Sequence, residues 1–224
     1  MVTTAKPITM LADREQTFTM TYDEWRTFVA ESAHSEWANG EVIVFMSPKE
    51  KHQLVLQFLS VLIGNFVALF SLGAILFAPY EMRAVPGGSA SEPDLLFIAS
   101  EHLDRVTENG LAGPADLLIE IISPESRARD RSDKFYEYQD AGVPEYWLFD
   151  PRSGRERSDF YQLNAQGQYV AVLPDADGRC HSAVLPGFWL DPNWLWQETL
   201  PSPLGLLSVI VPGSIQVNRP PATD

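Results

Sequence analysis

One acid inside an otherwise apolar run constrains this chain more than any other feature. Residues Asp116–Ile122 read DLLIEII. That density of Leu and Ile predicts a strand buried on both faces, the kind found at the centre of an α/β sheet. Glu120 sits in the middle of it, between Ile119 and Ile121. A carboxylate there is costly to bury unless it pairs with a cation or binds one. Two readings follow: a buried ion pair with an arginine, or a ligand to a divalent metal.

The chain has 224 residues, 45% of them hydrophobic and 11% aromatic, enough to bury one substantial core. The expected organisation is a loose arm over 1–20, one domain over 21–200, and a tail over 201–224 that is largely mobile from 212. Cys180 is the lone cysteine, which points to a reducing compartment and a cytoplasmic location. Met1–Lys6 has no apolar run behind a basic start, so no signal peptide is expected. The apolar stretch Leu54–Ala78 is interrupted by Gln57, Ser60, Gly64, Asn65 and Ser71. It reads as a core helix plus a strand rather than a membrane span.

Local signals set the element order. Thr21-Tyr22-Asp23-Glu24 is a capping box opening a short helix, with Trp25, Phe28 and Val29 on one face. Asn39-Gly40 marks a turn before a strand over 41–46. Ser47-Pro48 opens a long helix, in which Leu54, Val55, Phe58, Leu59, Leu62, Phe66 and Leu69 recur at helical spacing. Strands are expected over 74–84, 93–99, 116–122 and 143–149. Ser123-Pro124 would start a helix that ends near Gly142. A hairpin is expected around Asn164–Gly167, and a turn at Asp175–Gly178. The order helix, strand, strand, strand, helix, strand predicts a mixed sheet flanked by helices.

Asp94 follows Pro93 at the start of one strand and adds a second acid to Glu120. Two carboxylates converging from adjacent strands suit a hard cation such as Mg²⁺, which takes oxygen ligands. Lys134 lies on the helix after Glu120 and shares a helical face with Asp130 and Tyr138. It is either half of a surface Asp–Lys pair or an ammonium beside the metal.

The blocks Pro93-Asp94, Glu120–Pro124, Arg127–Tyr138 and Gly142–Pro151 carry a resemblance. Together with Gly40-Glu41, Met46-Ser47-Pro48, His52 and Gly187–Leu190, they resemble the Uma-type putative restriction endonuclease family of the PD-(D/E)xK superfamily, over roughly 20–195. The resemblance implies a restriction-endonuclease-like αβββαβ core, with an added N-terminal helix and a C-terminal β-hairpin. It implies that Asp94 and Glu120 hold Mg²⁺ or Mn²⁺ and that Lys134 assists the nucleophile. The superfamily places its lysine two residues after the glutamate, where this chain has Ile122; Lys134 is the matching amine. Glu41 and His52 match positions near the cleft, as accessory residues. Arg127 and Arg131, one helical turn apart, could meet phosphate or face solvent.

The function expected is a Mg²⁺-dependent DNA endonuclease; the alternative is an inactive module on the same fold that binds protein or nucleic acid. The net charge of −14 favours the alternative, because nucleic-acid binders present a basic footprint. Against that, seven of the sixteen Lys and Arg lie between Arg127 and Arg157. A homodimer is also expected, from the tryptophans of 188–196 and the apolar run Leu204–Val211.

Overall fold

The computed structural model describes residues 16–29, 35–38, 40–44, 50–85, 87–122 and 132–213. The N-terminal elements are β1 (Gln16–Thr19), α1 (Tyr22–Val29), β2 (Ser35–Ala38) and β3 (Glu41–Val44). The long helix α2 (Glu50–Phe70) leads into β4 (Gly73–Phe77), β5 (Met82–Arg83) and β6 (Leu95–Ala99). After a 3₁₀ turn come β7 (Val106–Thr107), β8 (Gly110–Ala112) and β9 (Leu117–Ile121). Helix α3 (Asp133–Asp140) precedes β10 (Glu145–Asp150), β11 (Arg157–Leu163) and β12 (Tyr169–Ala171). The chain then forms β13 (Cys180–His181), β14 (Trp189–Leu190) and α4 (Pro203–Ile210).

Six strands form the central sheet in the order β12-β11-β10-β9-β6-β4. Only β9 and β10 run parallel; every other pairing in it is antiparallel. The parallel pair needs a crossover, and α3 lies in it. The sequence α2-β4-β6-β9-α3-β10 is the expected αβββαβ order, and the mixed sheet has helices on both faces. Every residue of β9 and β10 is buried, Glu120 and Glu145 included.

Alternation along the strands divides the core in two. Leu117, Ile119, Ile121, Trp147 and Phe149 pack with Val55, Phe58, Leu59, Leu62 and Phe66 of α2. Leu118, Ile122, Tyr146 and Leu148 pack with Tyr138 of α3. Tyr146 and Trp147 are therefore core residues. Helix α2 is long and apolar enough to cross a membrane by length and composition. Eight of its residues are buried within this molecule, as a core helix requires.

The capping box forms as expected: the Thr21 amide donates to Glu24 Oε2 at 2.8 Å, and the Glu24 amide donates to Thr21 Oγ1 at 3.3 Å. Several expectations change. Residues 16–19, expected within a loose arm, form β1 and pair with β3. The single strand expected over 74–84 is split into β4 and β5, with Pro79 in the turn between them. The connection 100–114 contains β7 and β8, which join β5 in a small three-stranded sheet. The run Leu204–Val211, assigned to the tail, supplies α4, whose Leu207 and Ile210 are buried in the α2-side core. Pro48, Ser123, Pro124 and the segment 214–224 lie outside the described residues, as do the side chains of Phe28 and Val29.

The turn at Asp175–Gly178 is held by one side chain. Asp175 Oδ1 accepts from the amides of Asp177 and Arg179 at 2.9 Å each, and Oδ2 lies 2.7 Å from His181 Nε2. His181 first, and then the amides, hold the Asp175 carboxyl down at about 2. A depressed folded pKa means stability that is present above the unfolded value, about 3.9, and lost as pH falls toward 2. Wild type is therefore expected to melt above Asp175→Asn at pH 6, with the gap closing between roughly pH 4 and pH 2. Paired thermal melts across that range check it.

Candidate active site

The two expected acids come from neighbouring strands. β6 and β9 pair with Leu95 opposite Ile119, so one step further the register sets Asp94 beside Glu120. The ladder stops there, and a side chain takes over. Asp94 Oδ2 accepts from the Ile121 amide at 2.7 Å, doing for that strand-end N–H what a backbone carbonyl does inside the sheet. The Asp94 carboxylate is thereby fixed on the peptide that follows Glu120.

His52, in the first turn of α2, meets the same carboxylate. Its Nε2 lies 3.2 Å from each Asp94 oxygen. With Asp94 ionised the carboxylate can only accept, and Nε2 is then the donor. The α2 N-terminus is thus tied to the strand end that carries Asp94, and His52 is buried.

Glu120 alternates onto the α3 face of the sheet, between Leu118 and Ile122. Its Oε1 accepts from Lys134 Nζ at 2.8 Å and from the Tyr138 hydroxyl at 2.8 Å. Lys134 and Tyr138 are four residues apart and so project from one side of α3. Lys134 is 3% exposed and Glu120 4%, which excludes the surface-pair reading of Lys134. Lys134 is thus a buried ionic partner of Glu120, at a position for which the sequence suggested an arginine or a metal.

Burying such a pair gives little net stability, because desolvation of both ions offsets their attraction. Removing one partner is a different matter, since it strands the other charge in the core.

The other expected site residues divide. Glu41 is exposed at the start of β3, in the N-terminal sheet, and no described contact joins it to Asp94 or Glu120. Arg127 and Arg131 lie outside the described residues. Glu81, given no role from the sequence, is buried; it accepts from the Tyr22 hydroxyl at 2.6 Å and from Arg26 at 3.1 Å. It fastens α1 to the segment before β5. Tyr138 is the site residue that sequence reasoning passed over. Its helical spacing from Lys134 was visible, but a tyrosine on an amphipathic helix ordinarily reads as core.

Among the described residues, no three Asp, Glu, His or Cys side chains form a preformed metal cage. The donors present still suit Mg²⁺, which is ordinarily bound by one or two carboxylates and completes its shell with waters and substrate phosphate.

The model of the Uma2 family, described as putative restriction endonuclease, matches residues 20–193. The chain belongs to this family. Among solved structures it is similar to a putative nuclease belonging to DUF820 from Anabaena variabilis, with 18% sequence identity and a TM-score of 0.58. That likeness covers 75% of this chain and 94% of the other, and at such identity it speaks for the fold alone. No curated protein matches. Family and fold together support a nuclease, and the Uma2 match spans Asp94, Glu120 and Lys134.

Proposed function

We propose that this Uma2-family chain is a divalent-metal-dependent endonuclease that hydrolyses phosphodiester bonds of DNA. One observation carries the reading: Asp94 is anchored on the amide next to Glu120, and Glu120 is paired in the core with Lys134. In this reading Asp94 and Glu120 hold Mg²⁺ or Mn²⁺. The cation, when bound, supplies Lewis acidity at phosphate oxygen and lowers the pKa of a water.

The chain's own groups do the rest. The Ile121 amide and His52 orient Asp94, so that its carboxylate does not have to reorganise during the reaction. Lys134 brings a full positive charge to the place where negative charge accumulates around phosphorus, inside a site screened from bulk water. Burial at 3% exposure keeps that charge effective.

Calorimetric titration with Mn²⁺ tests the metal half of the proposal. Wild type is expected to bind at sub-millimolar concentration, and Asp94→Asn, which can still accept from the Ile121 amide, to bind at least about tenfold more weakly. Wild-type protein that takes up no cation at millimolar levels favours the other reading, an inactive module on the nuclease fold. The net charge of −14 is what supports that alternative.

A homodimer belongs to the same proposal, since two copies bring two sites to two strands. Its support is the set of exposed apolar residues Leu54, Leu69, Leu204 and Val209 on α2 and α4. Light scattering at micromolar concentration is expected to give twice the chain mass; a monomer contradicts the assembly.

A further inference from the structure

We propose that Tyr138 is a positioning residue for Glu120, holding its carboxylate in the orientation that the metal requires; this rests on the nuclease reading above. Two donors converge on one oxygen: Lys134 Nζ and the Tyr138 hydroxyl each lie 2.8 Å from Glu120 Oε1. They differ in stiffness. The lysine amine hangs on a flexible four-carbon stem, whereas the phenol turns about two side-chain bonds. Tyr138 is fully buried, and its ring stands edge-on to Tyr146 with centroids 5.3 Å apart. The surrounding core therefore fixes where its hydroxyl lies, and the hydroxyl fixes Oε1.

The need for such a tether follows from where the amine comes from. A lysine two residues after the glutamate would share its strand, and the backbone would set their separation. Here that position is Ile122, buried in the α3-side core. Lys134 reaches Glu120 from a separate helix, so the geometry of the pair depends on how α3 seats on β9. Tyr138, one helical turn after Lys134, contacts the same oxygen and ties both the carboxylate rotamer and the helix to that seat.

Tyr138→Phe keeps the ring and removes only the donor. Groups that orient a ligand from behind ordinarily cost 10–100-fold when lost. The variant is expected to bind Mn²⁺ about tenfold more weakly by calorimetry. Its kcat for DNA cleavage is expected to fall by about the same factor, with KM changed less than twofold. Tyr169→Phe is the matched control. Its hydroxyl donates to the Val143 carbonyl at 2.9 Å in the same aromatic cluster, so it loses one buried hydrogen bond away from Glu120. Its Mn²⁺ affinity is expected to stay within twofold of wild type.

A measurement on unaltered protein stands beside the variants. With ¹³Cζ-labelled tyrosine, saturating Mg²⁺ is expected to shift the Tyr138 resonance and leave that of Tyr169 in place. Tyr138→Phe binding Mn²⁺ as wild type does, or a Tyr138 resonance indifferent to Mg²⁺ in protein that binds it, overturns the positioning role alone. Wild type that binds neither cation overturns the nuclease reading and this role together.

Discussion

Glu120→Gln/Lys134→Met is expected to unfold in urea within about 1 kcal/mol of wild type and to cleave DNA at least about 10³-fold more slowly. The pairing of these two results is what matters. Glu120 and Lys134 are both buried and 2.8 Å apart. Replacing both charges by neutral groups of similar volume removes the desolvation cost along with the attraction, which leaves folding stability nearly unchanged. Glutamine keeps an acceptor for the Tyr138 hydroxyl, and methionine fills the lysine stem's path. Chemistry has no such compensation if the proposal holds, because the proposed metal ligand and the proposed transition-state cation vanish together. The single change Glu120→Ala is expected to behave differently. It strands Lys134 in the core and costs about 3–5 kcal/mol of stability, so loss of activity in that variant alone would not separate chemistry from unfolding. Urea denaturation and a cleavage assay on the same preparations read both quantities.

Glu145→Ala is expected to lower stability by about 3–5 kcal/mol while leaving the residues of the proposed site untouched. Glu145 opens β10 and is 1% exposed. Its Oε1 accepts from Trp147 Nε1 at 2.7 Å and Gln162 Nε2 at 3.4 Å. Its Oε2 accepts from the Ser182 hydroxyl at 2.8 Å and from the amides of Ala183 and Val184 at 2.9 and 3.2 Å. Burial pushes this carboxyl above the usual range, while those donors pull it back. The carboxylate also fastens residues 182–184, behind which Leu185 and Phe188 are fully buried in the α2-side core. Alanine leaves several buried donors unmatched, each a desolvation loss of about 1–3 kcal/mol. Glu145→Gln retains one acceptor oxygen and is expected to lose roughly half as much. A lower urea midpoint at unchanged slope identifies the loss as one of stability.

The contrast between these two glutamates shows what the sequence discloses. Glu120 is legible because the apolar residues around it make a buried carboxylate conspicuous. Glu145 follows Pro144 at a strand entrance, where an acid is unremarkable. The groups that bury it arrive from residues 182–184, a long-range closure with no local signature. The long helix and the two apolar strands that became β9 and β10 were legible from periodicity and dense apolar runs, which are strong signals over many residues; that those strands pair in parallel came from the structure. β5, β7 and β8 were not, since each has only two or three residues and tertiary pairing rather than propensity makes them strands. Pro79 inside the expected strand 74–84 was a readable warning, because proline is poorly tolerated within a sheet. The resemblance, and not spacing, pointed to Lys134 as the functional amine. The structure supplied what neither could: the Ile121 amide that anchors Asp94, and the Tyr138 hydroxyl on Glu120.

Nicking of supercoiled DNA by wild-type protein, with Mg²⁺ or Mn²⁺ and again after EDTA, tests the proposed activity most directly. Conversion to open-circular or linear DNA that EDTA abolishes, and that the paired Glu120 and Lys134 substitutions eliminate, is the expected result. Intact plasmid under every metal condition, or cutting that proceeds equally well without Glu120 and Lys134, contradicts it.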